Sequence, residues 1–235
     1  MGAARSAFIF AAYLIAQLLV GGAAGLVLAV AGATDLADDP AVLVLLGAAG
    51  LAAGAVAVWQ LTLQTFDDRP RAEALKAVGL NPVARGQIGR GVLLGLGISL
   101  VSAVIFSRWL PPGEEVMGPL AEAATTPGWH RWVWTALVLL LAPAIEEFVF
   151  RGVLLTGMAS AWGQRSAGIV VTVIFTLLHL SEAHAYLPAL LPIFVIGWVT
   201  YRLRFSTGSI LPGLAVHMSY NGLLVYLVLN QTGSI

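Results

Sequence analysis

The sequence predicts an all-α protein, a polytopic transmembrane bundle of about seven spanning helices, or eight if one is missed. Three observations predict it. Of the 235 residues 59% are hydrophobic and only 10% are charged, against about 25% charged in a soluble domain. Twelve basic and twelve acidic side chains are too few to solvate a globule, whereas lipid covers most of a membrane bundle. Apolar stretches close to the ~20 residues of a spanning helix recur at about 7–32, 41–66, 90–110, 131–158, 166–181, 187–203 and 209–230.

Each element has a readable boundary. The first stretch is too long for a signal-peptide core and Gly21 to Gly25 offers no clear cleavage site, so it reads as a retained helix. An acidic turn from Thr34 through Asp35, Asp38 and Asp39 to Pro40 precedes the second. Residues 67–89 are the longest polar segment, with an amphipathic piece at Arg71–Val78 stopped by Gly79 and Pro82. Pro111, Pro112 and Gly113 end the third helix and open a loop carrying Glu114, Glu115 and Glu122. Gly163-Gln164-Arg165 and Ser206-Thr207-Gly208 are tight turns. Residues 1–130 then form an N-terminal part of about three helices, and 131–235 a helical core that holds the chemistry. Small residues four apart, Gly21 with Gly25, Gly50 with Gly54 and Gly91 with Gly95, suit close helix packing.

Charge excludes some functions and orients the bundle. The net charge is zero and no long basic run exists, so nucleic acid has no electrostatic footprint. Without cysteine there is no disulfide, thiolate metal site or cysteine nucleophile. Arg5, Arg69, Arg71, Lys76, Arg85, Arg90, Arg165, Arg202 and Arg204 share one side if the helices alternate. Arg108 and Arg131 are left on the other. The bias places the N-terminus in the cytoplasm and, with seven spans, the C-terminus outside. Abundant Ala, Gly, Leu and Val with a single lysine point to a GC-rich bacterial genome, hence a bacterial plasma membrane.

Three charges are out of place. Glu146, Glu147 and Arg151 fall inside the fourth stretch, where a charge costs at least about 2.5–3.5 kcal/mol on insertion scales. Such residues default to a functional site. Glu147 and Arg151 are four apart, on one helical face and in the favourable order for an ion pair. Glu146 is turned about 100° away, free to face a cavity as a general base. A purely structural ion pair accounts for Glu147 and Arg151 but leaves Glu146 without a purpose. His179 ends an apolar run, and His217 shares a helical face with Asn221. Counted from the turn near Gly163, Glu147 and His179 are each about 24 Å along their helices, at matching depth. His217 lies about 14 Å from the Gly208 turn and Asn221 one turn deeper, so one chamber can hold all of them. His130, beside Trp129 and Trp132, reads as interfacial, and His184 as a loop residue.

A carboxylate and a histidine can deprotonate a water directly or through a metal. A second histidine and an amide can donate to an oxyanion. Glu146, His179 and His217 also make an acceptable set for a divalent metal such as zinc with one position open; the residues alone leave both routes available. G-x-S-x-G and H-E-x-x-H are absent, and every aspartate falls in a loop.

At these residues the chain resembles the CPBP family of intramembrane proteases, the CAAX protease and bacteriocin-processing or Abi family, which includes the type II CAAX prenyl endopeptidases. Glu146-Glu147-Phe148-Val149-Phe150-Arg151 matches its E-E-x-x-x-R motif, Phe175 to His179 its F-x-x-x-H, and His217 to Asn221 its H-x-x-x-N. The approach Thr207-Gly208-Ser209-Ile210-Leu211-Pro212 is also similar. The resemblance covers about residues 131–230. It implies that Glu146 and His179 activate water, that His217 and Asn221 form the oxyanion site, and that Glu147 and Arg151 hold the architecture. It leaves zinc open, because the family has been described both as metalloproteases and as glutamate-dependent enzymes. The substrate would be a peptide or protein at the membrane, a prenylated C-terminus or a leader peptide among them, and the bilayer the other partner; oligomeric state is not legible. Two other readings use the same residues: a catalytically idle scaffold or immunity factor, and a proton-coupled transporter, which would tolerate loss of Asn221.

Overall fold

The computed structural model describes residues 1–33, 35–36, 39–109, 126–183 and 187–231. Asp38, Glu114, Glu115, Glu122, His184 and the Pro111-Pro112-Gly113 stop lie outside the described residues. Among the described residues every regular element is helical. The order is α1 (Ala3–Val30), α2 (Pro40–Thr65), α3 (Arg71–Ala77), α4 (Arg85–Trp109) and α5 (Trp129–Ala136). A first π-helical segment, π1 (Leu137–Leu141), leads into α6 (Ala142–Glu146) and a second, π2 (Glu147–Leu154). Then come α7 (Leu155–Leu178), the short α8 (Leu180–Ala183), a 3-10 turn (Leu187–Ala189), α9 (Leu190–Thr207) and α10 (Leu211–Gln231).

Among these residues five helical runs are long and apolar enough to cross a bilayer: Ala3–Val30, Pro40–Thr65, Arg85–Arg108, Trp129–Leu178 and Leu187–Thr207. The fourth turns back on itself. Gly163 adopts φ 76 and ψ 162 within α7, a backbone that only glycine takes readily. Phe150 before it and Phe175 after it then meet with ring centroids 5.1 Å apart. Divided at Gly163 and taken with α10, these runs give seven helical arms, at the seven stretches that hydropathy marks. The boundaries shift: α1 starts at Ala3 rather than 7, α4 at Arg85 rather than 90, and α9 runs on to Thr207 rather than 203. The larger correction is internal. The fourth stretch is not one regular α-helix but carries the two wider π segments, and Pro143 between them is one reason, as its missing N–H breaks the α ladder.

Glycines set the helix pairing. A Cβ at Gly54 would stand 2.8 Å from the Tyr13 ring, and one at Gly50 would rest 3.7 Å from the Gln17 backbone, so α1 and α2 run antiparallel in close contact. Gly91 and Gly95 press against the backbone of α10 at Pro212 and Val216, which makes α4 and α10 parallel. Gly168 lies under the Tyr201 ring and Gly197 beside Thr172, so the second arm of α7 and α9 are antiparallel. These directions are those of seven alternating passes. Gly21 and Gly25 meet nothing within 4 Å. Asp39 caps α2, its Oδ1 accepting from Ala41 N at 2.8 Å and Val42 N at 3.2 Å, with Pro40 at the first helical position.

One core crosses the expected division at residue 130. Ile9, Tyr13, Val58, Phe66 and Val78 bury together with Val149, Phe150, Val153 and Phe175. The polar segment is fastened to the same body. Ile210 N donates to Gly79 O at 2.9 Å, Ser209 Oγ to Asn81 O at 2.6 Å and Asn81 Nδ2 to Gly208 O at 2.7 Å. This places the α3 strap and the α9–α10 turn on one face of the bundle, with the start of α4 and the Gly163 bend.

Candidate active site

The two π segments decide which way the site residues point. In π1 the Ala142 N–H bonds Leu137 O, five residues back. The Val138 carbonyl thereby loses its α-helical donor, and in the π register it would need the N–H of residue 143, which is proline. The orphan is filled from another helix: Asn221 Nδ2 donates to Val138 O at 2.9 Å. π2 repeats the device. Leu155 N–H bonds Phe150 O, which strips the Arg151 carbonyl of its α-helical partner. Arg204 Nε of α9 donates to it at 3.3 Å. Buried carbonyls without water demand such partners, and wide turns of this kind are common at functional sites.

Glu147 and Arg151 are fully buried and paired, Nη1 to Oε1 at 3.2 Å, as their spacing requires. Arg151 Nη2 donates to Gly197 O at 3.2 Å, and its guanidinium lies 4.3 Å from the centre of the Phe175 ring. Any Cβ at Gly197 would sit 3.1 Å from Thr172 and 3.4 Å from Arg151 Nη2; glycine there lets the carbonyl reach the guanidinium.

Glu146 faces the other way, toward two imidazoles. Its Oε2 stands 3.8 Å from His217 Nε2 and 4.0 Å from His179 Nε2. The Glu146 and His179 side chains are each 19% exposed and that of His217 is 7%, so the centre is sheltered but open. His179 Nδ1 lies 2.8 Å from Phe175 O. A carbonyl only accepts, so Nδ1 carries a proton, and Nε2 is the ring atom turned to Glu146. Phe175 supports both histidines, with ring centroids 4.7 Å from His179 and 5.9 Å from His217.

The structure brings Glu146, Glu147, Arg151, Phe175, His179 and His217 together and adds a link that spacing does not show. His217 Nδ1 lies 3.4 Å from Glu147 Oε1, so one imidazole stands between both carboxylates. Asn221 is a helical turn away with one of its two N–H groups engaged by Val138. Three further residues complete the site. Arg204 satisfies π2. Gly197 and Gly213 allow close approach; a Cβ at Gly213 would be 3.0 Å from Glu147 Oε2. Arg204 reads from sequence as a loop-side cation.

Among the described residues no group of three or more His, Cys, Asp or Glu side chains is disposed to hold a metal ion. Glu146, His179 and His217 supply suitable donor chemistry but stand as a loose set, so no step is routed through a metal.

A family model described as type II CAAX prenyl endopeptidase Rce1-like matches residues 128–223. This stretch is CAAX-protease-like. It contains all seven motif residues, from Glu146 to Asn221, and begins just before α5. No curated protein and no solved structure matches the chain. Over residues 128–223 the chain is similar to the type II CAAX prenyl endopeptidases, and that stretch lies within a bundle of apolar helices. Within the CAAX-type segment, the convergence of Glu146 with two histidines from separate helices is the arrangement for which chemistry must be found.

Proposed function

We propose that the chain is an intramembrane endopeptidase that hydrolyses peptide bonds of membrane-associated substrates, prenylated or leader peptides among them, by a water held at Glu146. The observation that carries this reading is Glu146 Oε2 facing the Nε2 atoms of His179 and His217 at 4.0 and 3.8 Å, a spacing that leaves room for a shared water. His179, its Nδ1–H engaged by Phe175, orients that water. Glu146 takes a proton as the water oxygen attacks the scissile carbonyl, then returns it to the leaving amine. With a proton on Nε2, His217 is the nearest donor to the developing oxyanion. Asn221 keeps one N–H for the same oxygen after its bond to Val138. Glu147 and Arg151 hold this geometry. We place the enzyme in a bacterial plasma membrane on its composition, and its N-terminus in the cytoplasm on the distribution of arginine and lysine.

The test is cleavage of a panel of membrane peptides, with and without a C-terminal prenyl cysteine, by the purified protein in liposomes. Glu146→Gln and His179→Ala should each lose on the order of 10²–10⁴ of the rate. Full activity in both variants sinks the mechanism, and no cleavage of any peptide by the intact protein favours an idle scaffold. Activity that vanishes with chelator and returns with zinc assigns a metal to Glu146, His179 and His217.

A further inference from the structure

Two recesses lie end to end on the side of α9 that faces away from the catalytic centre. Gly197 turns toward Arg151, whereas Val195, Trp198 and Arg202 turn outward to the seam between α9 and α4. The first recess, a cavity of about 830 Å³, is lined by Arg90 of α4, Arg165 after the Gly163 bend and Arg202 of α9. The second, about 360 Å³, is apolar and runs down the same seam between Leu93, Gly97 and Val101 of α4 and Leu191 and Val195 of α9. Leu94 lines both, so they adjoin at that side chain. The seam is open because α4 packs along α10 and barely meets α9.

The three arginines are exposed, and none has an ion-pair partner among the described residues. No described carboxylate lines either recess. Three guanidinium groups around one cavity repel each other unless an anion sits among them, and their planar forks suit phosphate oxygens. All three lie on the membrane face shared with the N-terminus, and the half-exposed Trp198 beside them marks the interface. From Leu94 to Ile105 the apolar recess follows α4 for about 16 Å, one leaflet of a ~30 Å hydrocarbon core. Gly97 keeps it hollow; nothing lies within 4 Å of where its Cβ would be.

We infer that the α4–α9 seam is a binding site for an anionic glycerophospholipid, its phosphate held by Arg90, Arg165 and Arg202 and one acyl chain laid along Gly97. Basic pockets between helices on the cytoplasmic side recognise such headgroups. The site is separate from Glu146, so its fate does not depend on the peptidase reading.

The test uses the full chain in phosphatidylcholine nanodiscs, with retention of added phosphatidylglycerol read by native mass spectrometry. Phosphatidylglycerol should be retained over added phosphatidylcholine. A single arginine near an anionic surface contributes about fivefold, so Arg90→Gln, Arg165→Gln and Arg202→Gln together should weaken retention on the order of a hundredfold. Gly97→Leu fills the groove without touching the arginines and should weaken it several-fold; it decides the question if the triple variant does not fold. Equal retention of the two lipids, or unchanged retention in Gly97→Leu, overturns the proposal. Displacement of phosphatidylglycerol by equimolar inorganic phosphate assigns the arginines to a free anion and overturns it as well.

Discussion

Glu147 Oε1 lies near two groups, Arg151 Nη1 at 3.2 Å and His217 Nδ1 at 3.4 Å. It therefore links the structural pair to the chemistry, and Glu146 is not the only carboxylate that His217 feels. Breaking a buried pair by removing one partner leaves an uncompensated charge and costs about 3–5 kcal/mol, while an apolar pair of similar volume is often neutral. Arg151→Met alone should lower resistance to SDS unfolding far more than Glu147→Leu with Arg151→Met. A double variant that loses the sum of both single losses would falsify the ion-pair account. Both variants should lose cleavage, because the double change removes His217's second carboxylate and Arg151→Met alone leaves Glu147 without the guanidinium that holds it.

At the scale of elements, the fourth stretch works because it is not a uniform helix. Each π segment frees one carbonyl, Val138 in π1 and Arg151 in π2, and each is answered from a helix distant in sequence. The registers of α10 and α9 against the catalytic arm are thereby fixed by hydrogen bonds as well as by packing. Asn221→Ala leaves the Val138 carbonyl unpaired, at a cost of about 1–3 kcal/mol. In a Pro143→Ala background residue 143 regains its N–H and the same change should cost clearly less. A double-mutant cycle on unfolding free energies reads this coupling; strictly additive costs would show that Asn221 does not serve the proline-broken turn.

For the whole molecule, backbone contact at glycine governs how the passes assemble. Among apolar helices in lipid, packing rather than hydrophobic burial drives association. Gly54 and Gly21 sit in the same hairpin, yet only Gly54 meets a neighbour. Gly54→Leu should push Tyr13 off α2 and lower the thermal midpoint of the purified protein by several degrees. Gly21→Leu, on open surface, should leave it unchanged. Equal shifts would mean that the α1–α2 contact is not a determinant of stability.

The amino-acid sequence by itself determined the seven apolar arms, the turns at Gly163 and Gly208, and the polar residues that hydrocarbon would reject. Those signals are local: each is a stretch of hydropathy, a breaker or a charge whose cost does not depend on its neighbours. The ion pair of Glu147 and Arg151 was legible for the same reason, being four residues apart on one element. Only the tertiary structure decided that His217 stands between two carboxylates and that Asn221 and Arg204 satisfy π carbonyls. It also decided that α4 and α9 part to leave a groove. In a membrane the packed face and the lipid face of a helix are both apolar, so hydropathy carries no record of which face meets which. That information resides in contacts between residues far apart in the chain.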